Sequence, residues 1–227
     1  MKNLRKTHLF CAVVILLAAN SISVPFSAFT RTNELPPIAH GIARNNAEMV
    51  RAAIAGGADV NGIFNEDTML CLALRRKRWD IARLLIQSPR IDVNKRGVYF
   101  RISMGDEVRF ERTPLILAAN FGQTEIVSLL LNKGADINAR TRVNGSPLSR
   151  GFSPLMEAAG QNRLDTVKFL LTYKRKPNIF FQDRNGETAF WYAVRHQNLE
   201  MVKLLFNSGS KVNMPNYGGQ SILTLTV

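Results

Sequence analysis

The sequence predicts an all-α solenoid of about five helix–turn–helix repeats and a C-terminal half repeat, with extended β-hairpin fingers between units. Two landmark series carry that expectation. The middle residues Val60, Val93, Ile137, Ile179 and Val212 of a recurring turn tripeptide are spaced 33, 44, 42 and 33 residues apart. That is one period of 33, twice enlarged by insertions of 11 and 9. In phase with it run Thr68-Met69-Leu70, Thr113-Pro114-Leu115, Ser153-Pro154-Leu155, Thr188-Ala189-Phe190 and Ser221-Ile222-Leu223. A fixed period of this length is the mark of a stacked array, in which each unit buries its apolar face against its neighbours.

Taken in order, the chain opens with basic Lys2, Arg5 and Lys6, then the eleven-residue apolar run Leu9–Ala19, then polar and small residues. This is the layout of a secretory signal peptide, and small residues suit cleavage after Ser21 or Ser23. Eleven residues at a 1.5 Å rise cover only about half of a ~30 Å hydrocarbon core, so a permanent anchor is the weaker reading. Residues 1–23 are therefore expected to be a signal, 24–35 a linker, and 36–227 the repeat domain. The units are expected at about 36–66, 67–94, 111–138, 151–180 and 186–213, with the half repeat at 216–227 and finger insertions at 95–112 and 139–152.

Within each unit, Thr or Ser caps a helix whose next residue is often proline, which suits a first helical position. Alanine pairs such as Ala118-Ala119 and Ala158-Ala159 end it, small enough for close helix approach. After a polar turn, Ile126, Val127, Leu129, Leu130 and Leu131 (and Leu199, Val202, Leu204, Leu205) give a second helix its apolar stripe. Gly57, Gly134 and Gly209 sit just past that helix, and Pro89 and Pro177 end it in the second and fourth units. The first unit is a degenerate cap, and the closing Leu-Thr-Leu-Thr-Val is a poor helix sequence.

These residues resemble the ankyrin repeat family. Thr113-Pro114-Leu115-Ile116-Leu117-Ala118-Ala119 follows its T-P-L-H-x-A signature, and Asp183 to Thr188 follows its D-x-x-G-x-T finger. The signature histidine is replaced by Cys71, Ile116, Met156 and Trp191. The resemblance covers roughly residues 36–227 and implies an ankyrin-repeat solenoid that binds other proteins through a concave face of first helices and finger turns. It also implies contact positions at the ends of the first helices and in the fingers. The candidates are Arg75, Arg76, Phe121, Gln161, Arg195, His196, Arg184 and Asn185. Both tryptophans are read as core: Trp79 aligns with Leu164 and Leu199 at a position expected to be buried, and Trp191 fills the signature histidine's place.

The insertions distinguish this chain from a generic array. Alternation in Val98-Tyr99-Phe100-Arg101-Ile102 and Val108-Arg109-Phe110, about the turn Ser103–Asp106, predicts a β-hairpin. Asn144-Gly145 predicts a second turn beside it. Val98, Phe100, Ile102, Val108 and Phe110 are expected to form one apolar face, flanked by Lys95, Arg96, Arg101, Arg109, Arg112, Arg140, Arg142 and Arg150. Tyr99, Arg101 and Arg109 join the partner-contact candidates.

Composition bounds the function. Hydrophobic residues at 46% and charged residues at 21% fit a folded chain. A net charge of +13 (+10 once residues 1–23 are removed) favours acidic partners. Cys71 is the sole cysteine outside the signal, which suits burial in an oxidising compartment. His8, His40 and His196 are too dispersed for a metal site or triad, and no phosphate-loop, zinc-protease or nucleophile-elbow motif occurs. No catalytic, cofactor-binding or metal-ligating residue is therefore assigned, and the chain is read as not an enzyme. The expected function is a monomeric, exported protein-binding module, periplasmic or secreted, that recognises an acidic protein through its concave face and long basic fingers. A basic surface for nucleic acid or anionic lipid, and a secreted effector of a host-associated bacterium, are the alternatives.

Overall fold

The computed structural model describes residues 35–103, 106–144 and 151–222, with the backbone alone for 101–103 and 106–107. The expected signal and the linker up to residue 34, Gly145, Arg150 and residues 223–227 of the half repeat lie outside the described residues, as does the side chain of Arg101.

Among the described residues the chain forms five helix pairs. They are α1 (Pro37–Arg44) with α2 (Ala47–Ala55), α3 (Met69–Arg75) with α4 (Trp79–Gln87), α5 (Pro114–Phe121) with α6 (Thr124–Asn132), α7 (Pro154–Gly160) with α8 (Leu164–Thr172), and α9 (Ala189–Arg195) with α10 (Leu199–Asn207). Strands β1 (Ile63–Phe64), β2 (Asp67–Thr68), β3 (Gly97–Ser103), β4 (Asp106–Arg112) and β5 (Arg142–Val143) lie between pairs. The hydroxyls of Thr68, Thr113, Ser153 and Thr188 cap α3, α5, α7 and α9 by accepting the amides of Cys71, Ile116, Met156 and Trp191. Capping fixes where each first helix starts, and hence the phase of the array. Each first helix is followed within two residues by one of positive φ: Asn45, Lys77, Gly122, Asn162 and Gln197. This left-handed step turns the chain back within two residues. Only one of the five is glycine, so sequence composition hardly marks it.

First helices stack on first helices and second on second, so the core is a continuous seam between units. Ala118, Ala119, Ala158 and Ala159 are wholly buried, which lets the first helices approach closely. Cys71 is buried as well, and burial pushes its thiol up to about 12, which removes the reactive thiolate. Trp191 is in the core as expected, its indole N–H donating to the Met214 carbonyl at 3.2 Å. Trp79 departs from expectation. It is half-buried, edge-on to Phe121 at 5.7 Å between ring centroids, and the aligned Leu199 is 63% exposed. The position opens the second helix and faces the next unit's turn. It is covered only as far as that turn reaches.

A second seam runs through the turn tripeptides. The Oδ1 atoms of Asp59, Asp92 and Asp136 accept the amides of Asn61, Asn94 and Asn138 at 2.9 Å, which closes each turn locally. Each asparagine then reaches the following unit: Asn61, Asn94 and Asn138 accept the amides of Asp92, Asp136 and Asn178 at 2.8–2.9 Å. The aspartate shapes the turn and the asparagine spans the gap, a division of labour that explains the recurrence of Asp-x-Asn.

In the long finger, β3 and β4 pair antiparallel from Gly97↔Arg112 to Ser103↔Asp106, and β5 adds to β4 with Phe110↔Val143. The register overturns the single apolar face expected from the sequence. Tyr99, Phe110 and Val143 form a row on one face, whereas Val98 and Phe100 oppose Glu111 and Arg109 on the other. An even-length turn pairs odd positions with even ones. Apolar residues at even numbers on both arms therefore fall on opposite faces.

Candidate binding surface

The first-helix ends place one side chain per unit in register: Arg76, Phe121, Gln161 and His196 each stand eight residues after the capping Thr or Ser. Arg76, Gln161 and His196 are exposed, and Phe121 is half-buried against Trp79 with the Lys77 ammonium 5.9 Å from its ring centre. Bonds between units hold the row together. His196 Nε2 contacts the Gly160 carbonyl at 2.8 Å, Arg163 Nε donates to the Asn120 carbonyl at 3.2 Å, and Asn198 donates to Asn162 at 2.6 Å. In the finger before α9, Arg184 and Asn185 are also exposed, although the Asn185 carbonyl accepts the Tyr217 amide at 2.9 Å.

The neighbouring arginines are differently employed. Arg75 reaches back along α3 to the buried Asp67 and also donates to the Val98 carbonyl at 3.1 Å. Arg195 makes the equivalent bond to the buried Glu187. In the middle of the array the charges exchange places: Arg112 precedes the capping Thr113 and pairs across units with Glu157 at 2.9 Å, while Asn120 at the helix end donates to the same carboxylate at 2.7 Å. Arg109 lies 3.5–3.6 Å from Glu111 and Glu66. Lys95 donates to the Asn61 carbonyl, Arg96 to that of Arg140, and Arg140 to those of Gly151 and Gln182. Burial, then the nearby Arg142, lowers the pKa of Arg96. Much of the basic charge in the fingers thus clamps one unit to the next. Several of these partners, those of Lys95, Arg96 and Arg112 and one each of Arg109 and Arg140, lie 34–45 residues away in a neighbouring unit, where the sequence does not pair them.

Tyr99 carries the aromatic part of the finger. It stacks on Phe110 at 5.1 Å, with the guanidinium groups of Arg112 and Arg75 at 4.9 and 5.7 Å from its ring centre. Cation–π contact of this kind fixes the hairpin against α3.

Asp67 makes this junction sensitive to pH. Its Oδ1 has no hydrogen-bond partner among the described residues, and burial, opposed by Arg75, raises its pKa from 3.8 to about 6. A raised carboxyl favours the folded state most when protonated in both states, below about pH 4. That contribution is lost as pH rises through 6. Over roughly two pKa units it amounts to about 3 kcal/mol at most. Thermal melts from pH 4 to 7 should show it as a falling component that Asp67→Asn removes; an unchanged slope in the variant contradicts the assignment.

Among the described residues no group of three or more His, Cys, Asp or Glu is placed to hold a metal, and no helix is long and apolar enough to cross a membrane. The geometry offers a surface of repeated side chains on a stiff seam. The model of the ankyrin repeats (3 copies) family matches residues 100–180 and 141–216, together more than half of the 227-residue chain. The ankyrin repeat protein FPV031 of fowlpox virus is 28% identical over 172 residues, covering 63% of this chain and 48% of that protein. The ankyrin repeat and SAM domain-containing protein 6 of Rattus norvegicus is 30% identical over 181 residues, covering 69% and 20%. The phosphocholine transferase AnkX of Legionella pneumophila is 23% identical over 184 residues, covering 74% and 18%. The chain spans less than half the length of each of these relatives. With the period, the capping residues and the stacked helix pairs, these matches show that the chain belongs to the ankyrin repeat family.

Proposed function

We propose that the chain is a non-catalytic protein-binding module that acts in the periplasm or outside the cell and recognises an acidic protein. The carrying observation is the row Arg76, Phe121, Gln161 and His196, one side chain per unit at an identical place, open to solvent at three of its four positions. A row held by a stacked core is preorganised, so a partner orders little on binding. Arg184 and Asn185 extend the contact towards the fingers, and the net charge of +10 without residues 1–23 supports an acidic partner. Export rests on the amino-terminal pattern of charge and hydropathy. The same surface would serve a secreted effector, which differs in where the partner resides and in no feature of the fold.

The test places a photo-crosslinker at Gln161 or Arg184 of the exported chain in its own cells. One or a few proteins should be captured at both positions. Arg76→Glu combined with His196→Glu should weaken binding of the captured protein by roughly 30-fold, as loss of a central contact does. Raised salt should weaken it further. No capture above background at either position at low salt sinks the reading.

A further inference from the structure

The sign of the surface charge changes along the array. Asp59, Asp92 and Asp136 head the turn tripeptides of the first three units, whereas Asn178 and Lys211 stand in their places in the last two. Residues 166–182 and 201–222 contain no acidic residue. Of the cations there, Lys168 pairs with Glu200, but Lys174, Arg175, Lys176, Lys203 and Lys211 meet no carboxylate among the described residues. Arg175 and Lys176 donate to backbone carbonyls, of Leu131 and Ala135 and of Leu171 respectively, which leaves their charge uncompensated.

The asparagine seam also breaks at this place. Where Asn61, Asn94 and Asn138 reach the next unit, the fourth unit carries Phe180, 44% exposed, with the Lys211 ammonium 5.6 Å from its ring centre. Beside it lies a groove whose floor is Leu171, Pro177 and Ile179 and whose walls are Lys176, Phe180 and Ser208. A bonding asparagine has given way to an exposed aromatic at a turn where local charge is wholly positive.

We propose that this groove, between the fourth and fifth helix pairs, docks an acidic protein segment that carries an apolar side chain between carboxylates. The apolar residue fills the recess against Phe180, and the carboxylates meet Lys176 and Lys211. A recess with a single aromatic wall suits one inserted side chain. A bilayer would instead call for several protruding apolar groups, and a nucleic acid for interleaved aromatics. The inference rests on the protein-binding reading and assigns its charge-sensitive contact to the turn side of the array, where the cations are unneutralised.

The probe is a fluorescein-labelled peptide of two Glu-Glu-Leu-Glu-Glu units, titrated with the full chain, beside a version with glycine for leucine. The leucine peptide should bind at least fivefold tighter than the glycine version. Lys176→Glu with Lys211→Glu should weaken it at least tenfold, and so should Phe180→Asn, whose melting temperature should match or exceed that of the parent. Arg76→Glu with His196→Glu should change it less than twofold. Equal binding of the two peptides, or no effect of the groove variants, overturns the proposal. So does adsorption to phosphatidylserine vesicles that the same groove variants abolish while the peptide fails to bind. Loss of peptide binding in the Arg76/His196 variant alone overturns the groove and leaves the protein-binding reading standing; absence of both peptide binding and cross-linking removes both.

Discussion

Replacing Trp191 by alanine should cost about 3–5 kcal/mol, the range for deleting a large buried aromatic. At about 2–4 °C per kcal/mol for a domain of this size, the melting temperature should fall by roughly 10 °C. Trp191 is 1% exposed and occupies the place where the family signature has histidine. It lies in the core seam, its own amide caps onto Thr188, and its indole N–H donates to the Met214 carbonyl. Truncation therefore opens a cavity and also frees the segment after α10. A linear array has nearest-neighbour cooperativity, so the damage should be local. Amides of α9 and α10 should lose hydrogen-exchange protection first, while those of α3 to α6 stay close to the parent. Trp191→Phe, which keeps most of the volume and loses only the indole bond, should cost well under half as much. Uniform loss of protection along the chain would contradict the assignment of Trp191 to a unit-local role.

How far such a residue is legible in sequence depends on the range of the interaction. The phase of the array was legible because Thr68, Thr113, Ser153 and Thr188 cap within three residues of themselves. Cys71 and Trp191 were legible as core because their position within the unit fixes which way they face. Trp79 was not: its burial depends on how far the next unit's turn reaches, which Phe121 decides in one unit. The left-handed residues that follow the first helices were missed because only Gly122 announces itself. The apolar face proposed for the long finger failed for a different reason. Alternation fixes which residues of one strand share a face. The parity of the turn fixes how the two strands' faces combine, and an even turn sets Val98 and Phe100 against Glu111 and Arg109.

Charge was the least legible feature of the candidate surface. Arg75, Arg109 and Arg195 were chosen because they fall at helix ends and finger tips, where the resemblance implies contact. In the structure each lies within ion-pair distance of carboxylates of its own chain. Arg76, Gln161 and Arg184, chosen by the same reasoning, are exposed. For Arg75 and Arg195 the partner is the acidic residue before the capping Thr, Asp67 or Glu187, whereas Arg76 and His196, one residue further along the same helices, are exposed. Eight residues separate each such pair, about the length of the first helix, so an arginine at its end reaches back along it. The arrangement follows from helix geometry once the helix boundaries are known.

Gly97→Ala should be the most damaging single-methyl change at the base of the long finger. A Cβ there would stand 1.9 Å from the Asp67 carboxylate, 2.6 Å from the Cys71 Cβ and 3.1 Å from its sulfur. None of these atoms can yield cheaply. The carboxylate is buried and held by Arg75, and the Cys71 Cβ moves only with the backbone of α3. Overpacking a core usually costs about 1–3 kcal/mol, and a collision with two fixed groups belongs at or above the top of that range. Moving Asp67 would also loosen Arg75, which holds the Val98 carbonyl, so the first residues of β3 should detach from α3. The expected result is a fall in stability of about 3 kcal/mol, with lost amide protection concentrated at 97–100 and at α3. The collision itself can be isolated by a double-mutant cycle. In an Asp67→Ala background the carboxylate is gone, so Gly97→Ala should cost at least about 1 kcal/mol less than in the parent. Equal cost in both backgrounds would mean that the finger accommodates the methyl group by moving as a body. In that case Asp67 and Arg75 would not be its anchor.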